Sequence, residues 1–419
     1  MKKAFIGLIT AAFCLISLAA AAQETLSLPD LLREAETNSP MLAAKRSEYE
    51  AARERIPQAG ALDNPMVGLG IQSVPVDTFA FNRDPMTGKM LELSQNVPFF
   101  GKRELRRQAA RYEAEATDAE YRGQALMLRS EVKSAYYDLY SARKSLQAIE
   151  KNIELVGEFK KAAESLYSVG KGMMKDVIKA QLEISMLVEK RIDLQREDAA
   201  KRAYLASLLG RGTPVAGEVE DIKPTDVKLD RDAMIAMAEK MRPAIAAASA
   251  KMEEARTKAG LAYRERYPDF SFKVDYMERD KLKGGMDQPD MISAMISVDL
   301  PVWYGSKLNP MVREAAAEQS MAASERDAAI VETRSKVYTM ASEIEQSDRM
   351  LKLYKEVLIP QANEDVSAGL AAYETGAGDF LTLVESRRTL FDLELNYYKT
   401  LSMREKAVAE LGAMSGREF

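Results

Sequence analysis

Four short stretches of the chain alternate apolar and polar residues with a period of two. In one, Phe270, Phe272, Val274 and Tyr276 are separated by Ser271, Lys273 and Asp275. In another, Ile292, Ala294, Ile296, Val298 and Leu300 share one face, and Met291, Ser293, Met295, Ser297 and Asp299 share the other. Leu91, Leu93 and Val97 oppose Glu92, Ser94 and Asn96, while Met66–Val74 alternates least cleanly because Gly68 and Gly70 interrupt it. This pattern predicts strands at 66–74, 89–97, 269–277 and 291–300. Strands of ~9–10 residues have the length a tilted transmembrane strand needs, and apolar-out, polar-in alternation suits a barrel with a wet lumen. Alternation alone fits equally well two hairpins with one face on a soluble core. The aromatic pairs Phe99, Phe100 and Trp303, Tyr304, just beyond two of the strands, favour the membrane, where aromatic side chains mark the interface. The loops Pro75–Gly88 and Arg279–Asp290 are polar and rich in Gly or Pro.

Four strands cannot close a barrel, since the smallest bacterial outer-membrane barrels have about eight. An open sheet in lipid leaves backbone groups unpaired at several kcal/mol each. If the strands span, several protomers must share one barrel.

The rest of the chain reads as long helix. From Lys102 to about Glu164 there is no proline, and Gly123 and Gly157 are the only glycines; at ~1.5 Å per residue such a helix could extend ~90 Å. Ile330, Val337, Ile344, Leu351 and Leu358 recur every seven residues, and Leu146, Ile149, Ile153 and Val156 repeat with 3-4-3 spacing. A seven-residue apolar repeat predicts coiled-coil packing, and Pro360 predicts a kink or break.

The two halves repeat one another. LSLPDLLREAETNSPMLAAKRSEYEAAR, from Leu26, parallels LDRDAMIAMAEKMRPAIAAASAKMEEAR, from Leu229, and Pro40, Pro65 and Pro98 match Pro243, Pro268 and Pro301, all at one offset of 203. Each half is too long for a solenoid unit. The chain is read as a tandem duplication of residues 23–215 and 216–419, joined near Gly210–Asp226, each half running helix, two strands, long helix, break, second helix.

The N-terminus has the three parts of a secretory signal: Lys2 and Lys3, an apolar run from Ala4, and an alanine cluster ending at Ala22. A retained membrane anchor is the alternative; the A-x-A site favours cleavage, making residues 1–22 a signal peptide. Cys14, the single cysteine, follows Phe13 and so makes a poor lipoprotein acceptor. The sequence has no histidine, which removes His-based triads and His metal sites; without Cys14 there is no thiolate chemistry either. The formal charge of −5 becomes −7 without Lys2 and Lys3, arguing against nucleic-acid binding. After residue 22 no run is apolar enough for a transmembrane helix.

Tyr167-x-x-Gly170 and Tyr373-x-x-Gly376 each close a long helix before another starts, so the two turns are predicted to be hairpin tips, near 167–177 and 373–383. Asp176 is placed to cap the helix after the first tip.

On these features the chain resembles the TolC-type outer-membrane efflux proteins from Leu26 to about Leu411. The carriers are the duplicated element order, the strand exits VPFFGKR and LPVWYGSK, and the paired YxxG tips; VPFFGKRELRR looks like the heavy-metal efflux subgroup. The resemblance implies a mostly α fold with a small β part: a homotrimer whose coiled-coil hairpins form a periplasmic α-barrel and whose protomers each give four strands to a shared transmembrane β-barrel in outer-membrane lipid. It implies docking of the tips onto a periplasmic adaptor that leads to an inner-membrane pump, with Tyr167, Gly170, Val177, Tyr373, Gly376 and Leu383 in or beside the docking surface. Relatives close the tunnel with acidic residues and an arginine past the second tip. Here those positions hold Thr382, Glu385 and Gly378, so a constriction rests on Glu385, with Asp176 as a second acidic ring. No cofactor is implied.

Other classes fit less well. An enzyme lacks a nucleophile–base pair or phosphate-cradling loop, a stand-alone porin would be mostly strand, and a soluble periplasmic scaffold or adaptor would carry one hairpin and flanking β-domains. Cargo stays open between heavy-metal cations and small toxic compounds. Thioethers suit Cu(I), but the plainer reading of the 23 methionines is seam filling.

Overall fold

A computed structural model describes residues 25–416. The signal sequence, Cys14 and the terminal Phe419 lie outside the described residues. The elements in chain order are β1 (Thr25–Leu26), α1 (Leu28–Asn38), α2 (Pro40–Gly60), β2 (Met66–Gln72), β3 (Gly88–Val97), α3 (Lys102–Ser168), α4 (Met174–Leu208), β4 (Glu218–Val219), α5 (Arg231–Met241), α6 (Pro243–Arg264), β5 (Asp269–Glu278), β6 (Met291–Asp299), α7 (Asn309–Leu353), α8 (Ile359–Glu374) and α9 (Phe380–Ser415). No helix among the described residues is long and apolar enough to cross a membrane.

The chain forms two compact units, and neither is one of the sequence repeats. One unit takes residues 44–123 and 242–332; the other takes residues up to 43, 124–241 and from 333 onward. Each half of the duplication therefore contributes to both.

The first unit holds an antiparallel sheet in the order β2-β3-β5-β6, two hairpins joined edge to edge by the pairing of β3 with β5. β2 and β6 each pair on one side only. The sheet is therefore open.

The second unit is helical and packs in layers. The predicted 3-4-3 stripe buries Ile149 and Val156 of α3 with Ile153 beside them, against Leu187 of α4 and Phe391 and Leu395 of α9. The heptad stripe of α7 buries Val337 and Ile344 against Met234 and Ala238 of α5 and Ala407, Val408 and Leu411 of α9. A further layer joins Tyr140, Leu351 and Leu401. The joint between the repeats is also ordered: β4 pairs in parallel with β1, and Arg202 donates to the carbonyls of Val215 (3.0 Å) and Gly217 (2.9 Å).

Pro360 does not break its helix. A π-helical turn, Tyr354–Leu358, comes just before it, and Ile359 N–H bonds to the Tyr354 carbonyl five residues back. A proline has no N–H to donate, and its ring clashes with the carbonyl four residues earlier. Widening the preceding turn by one residue accommodates both. Pro310 follows the same kind of turn, Tyr304–Leu308, with Asn309 N–H bonded to the Tyr304 carbonyl.

Candidate functional site

The register assigns every strand residue to a face. Val67, Leu93, Val274 and Ala294 stand abreast across the four strands, as do Leu69, Leu91, Tyr276 and Ile292. Ile71, Val97, Phe270, Phe272, Ile296 and Val298 share this face, which Gln95 interrupts and which ends, in the row of Ile71, with the charged pair Lys89 and Glu278. Most of its large side chains have no cover among the described residues: from Tyr276 at 41% to Leu69 at 85% they lie exposed, while Val97 and Phe270 are half-buried. Leaving such side chains in water forfeits about 1.5–3 kcal/mol each. The opposite face carries Glu92, Ser94, Asn96, Ser271, Lys273, Asp275, Ser293 and Ser297, and Lys273 bridges Glu92 (2.7 Å) and Asp275 (3.5 Å). One face suits lipid and the other water.

The strand-exit signature VPFFGKR builds a junction in this unit. Gly101 has φ +88°, and a Cβ there would meet the Arg264 guanidinium at 2.6 Å. Arg264 in turn donates to the Phe100 carbonyl (2.8 Å). Lys102, 1% exposed, places its ammonium 2.8 Å from Glu265 and 2.9 Å from Asp269. Asp269 also accepts from Phe99 N–H (2.7 Å). Arg103 donates twice to the Gly60 carbonyl at the end of α2 (2.9 and 2.7 Å). Phe99 stacks on Tyr267, with ring centroids 4.8 Å apart, so this aromatic is half-buried. Phe100, Trp303 and Tyr304 are exposed. The second exit, WYGSK, differs from the first: Gly305 lies in the π-helical turn with ordinary φ, and Lys307 is exposed.

In the helical unit the two tips share one backbone design. Gly170 (φ +72°) and Gly376 (φ +76°) donate to Tyr167 and Tyr373. The next two amides of each tip converge on one carbonyl. Lys171 and Gly172 bond to Leu166 (2.9 and 3.0 Å), and Ala377 and Gly378 bond to Ala372 (2.9 and 2.9 Å). This tight return leaves no space for a side chain at its last position: a Cβ on Gly172 would come within 2.9 Å of Tyr167 N, and one on Gly378 within 2.9 Å of Ala372 Cβ. Gly378 is the position where the resemblance expected an arginine. The turn requires glycine there, which accounts for the departure.

Burial then separates what the sequence made alike. Tyr373 is buried with Phe380 and Leu383 in a cluster that includes Phe159, Ala163 and Ala180, and its ring meets Phe380 edge-on at 5.2 Å. Tyr167, at the matching position, is exposed, as are Gly170 and Gly376; Val177 is half-buried. The Tyr373 hydroxyl is buried without a hydrogen bond, and burial, followed by the charges of Asp176 and Asp379, raises its pKa. Asp176 is not a cap. Met173 occupies the N-cap without a side-chain bond, and Asp176 is buried in the first turn of α4, where its charge complements the helix dipole. The cap at the second tip is Asp379, which accepts from Leu381 N–H (3.2 Å). Glu385 stands on the exposed side of α9.

One polar contact near the tips was missed from sequence. Arg387, 4% exposed, donates from Nε to Asn152 Oδ1 at 2.6 Å, and its Nη2 has no partner. Burial lowers its pKa, opposed by Glu394. Counting from Leu383 to Leu390 along the buried stripe of α9 puts residue 387 inward, which is the signal that could have found it. No cluster of Asp and Glu among the described residues is arranged to hold a metal ion.

Comparison with known proteins extends over the whole described chain. The sequence profile of the outer membrane efflux protein family matches residues 31–211 and again 234–417, one match in each half. The cobalt-zinc-cadmium resistance protein CzcC of Cupriavidus metallidurans is 20% identical over 378 residues, 90% of this chain and 86% of that protein. The crystal structure of the outer membrane protein VceC of Vibrio cholerae superposes with a TM-score of 0.78 at 18% identity, covering 94% of this chain and 96% of that one. CusC, whose crystal structures concern folding and transmembrane channel formation, superposes with a TM-score of 0.79 at 17% identity, covering 93% and 92%. At these identities the structural likeness speaks for the fold.

Proposed function

The chain belongs to the outer membrane efflux protein family, and from that premise we propose that it is the passive exit duct of a tripartite efflux system, working as a homotrimer with a periplasmic adaptor and an inner-membrane pump. The observation that carries this reading is the open sheet with one bare apolar face. Both edges offer unpaired backbone groups, and lipid tolerates neither an edge nor an unsatisfied amide. Copies of the chain meeting edge to edge, β6 beside the next β2, satisfy these groups and bury the apolar face in the bilayer. No catalytic step enters this function.

The tips are the proposed adaptor-docking region. Tyr167, Gly170 and Gly376 would meet the partner directly, Val177 borders them, and Tyr373 and Leu383 support the surface from beneath. Heavy-metal cations are the proposed cargo class, motivated by the likeness to a cobalt-zinc-cadmium resistance protein and by the VPFFGKRELRR exit.

The mass of the detergent-extracted chain, with membrane fractionation in parallel, tests the duct. A particle of about three chain masses confined to the outer membrane is expected; a water-soluble monomer would overturn the proposal and favour a periplasmic scaffold. Glu385 is proposed to line the tunnel constriction; Asp176, only 7% exposed, is buried within the protomer and does not supply the second acidic ring expected from the sequence. Glu385→Ala is expected to weaken block by divalent cations and change single-channel conductance in planar bilayers; unchanged traces would remove Glu385 from the constriction.

A further inference from the structure

Every methionine in the four-stranded sheet lies on its polar face. These are Met66, Met90, Met277, Met291 and Met295, and the apolar face, where a thioether would be an ordinary hydrophobe, has none. Seam filling therefore does not account for them. Met90 pairs with Met277, and Met277 with Met291, so three thioethers stand abreast on β3, β5 and β6. Side chains directly opposite on neighbouring strands have Cβ atoms about 4.5–5.5 Å apart. Three flexible arms at that spacing can turn their sulfurs toward one point above Met277.

The surrounding residues leave room for this. On β2 the row continues with Gly70 rather than a side chain. A Cβ on Gly88 would lie 2.8 Å from Met277 Sδ, so the thioether occupies space that only glycine leaves open. The next row contains Glu92 and Asp275, two carboxylates that share the single ammonium of Lys273. Met291 is half exposed and open to solvent.

We propose that Met90, Met277 and Met291 form a binding site for a soft monovalent cation, Cu(I) or Ag(I), on the water-facing side of the sheet. Neutral thioethers select soft d10 ions over the divalent metals that prefer imidazole or carboxylate. They also carry no proton to lose, so binding does not release protons as thiol or imidazole sites do. The inference rests on the duct reading only in taking the polar face as the lumen.

The test titrates silver nitrate into the detergent-solubilised full chain in chloride-free buffer, followed by calorimetry. One tight equivalent per chain is expected, with affinity flat between about pH 6 and 8, because thioether ligands carry no proton to displace. Losing even a supporting partner costs metal sites about 10–100-fold, so Met90→Leu/Met277→Leu/Met291→Leu is expected to weaken binding at least about tenfold. Leucine conserves volume, and Met277→Leu alone, expected to weaken binding about tenfold because it removes the central ligand, serves if the triple variant does not fold. Met173→Leu/Met174→Leu at the tip is expected to bind like the unaltered chain. Equal affinity in the triple or single variant, or equal competition by zinc nitrate, overturns the proposal. Mass and conductance of the same preparation without silver separate the two readings. A conducting trimer that binds no silver removes this site alone, whereas a monomer removes the duct.

Discussion

Arginine in place of Val274 is expected to cost about 2–4 kcal/mol of folding free energy in a bilayer, the penalty for a cation on the lipid face of a barrel near the midplane. Val274 lies in the middle of β5 between Leu93 and Ala294, on the face that no part of the protomer covers. Two companions show what makes the cost. Ser293→Arg points to the other face beside Asp275, where water and carboxylates welcome a cation, and is expected to be close to neutral. Val298→Arg lies on the lipid face but at the Phe99 end of the sheet, where the penalty falls to about 0–1 kcal/mol. Denaturant titration in vesicles measures all three. A soluble core in place of lipid would penalise Val298→Arg as heavily as Val274→Arg, and that result would remove the sheet from the membrane.

Lys102→Ala is expected to destabilise the chain by about 3 kcal/mol, the lower end of the ~3–5 kcal/mol found on breaking buried ion pairs. Its ammonium joins the end of α6 to the start of β5 through Glu265 and Asp269. Removing it leaves two carboxylates facing one another. The lower end applies because both carboxylates keep some solvent contact and Arg106 remains 3.5 Å from Glu265. Adding Glu265→Gln and Asp269→Asn should recover much of the loss. Thermal unfolding of the detergent-solubilised chain measures the series, and a loss under about 1 kcal/mol for Lys102→Ala would mean that the three charges do not act as a unit.

Much of the architecture follows from local pattern. Period-two alternation placed four strands and their faces, because one polar and one apolar environment sort residues independently of which strand pairs with which. The seven-residue spacing of Val337, Ile344 and Leu351 located a buried seam for the same reason. What stayed hidden depends on partners distant along the chain. Lys102 was read as part of a signature, and its two carboxylates lie more than 160 residues away. Arg387 meets Asn152 across 235 residues. β1 and β4, two residues each, are too short to show any period. Pro360 announced an irregularity but not its form, since a widened turn and a kink satisfy the same missing N–H. The tips misled in another way. YxxG fixed both backbones alike, yet the residue opening the next helix decides burial, and Met174 stands exposed where Phe380 is enclosed.

That difference between the tips sets a rule of stoichiometry. A threefold assembly of a duplicated chain looks sixfold at its helix ends, but alternate ends present an exposed Tyr167 or an enclosed Tyr373. A ring of identical partner molecules therefore meets two kinds of seat. Either the partner fills one kind and leaves the other vacant, or one sequence must fit two surfaces with two affinities. In the proposed trimer, duplication within the chain would replace six equal contacts by two sets of three, and a threefold arrangement would not let a partner treat them all alike.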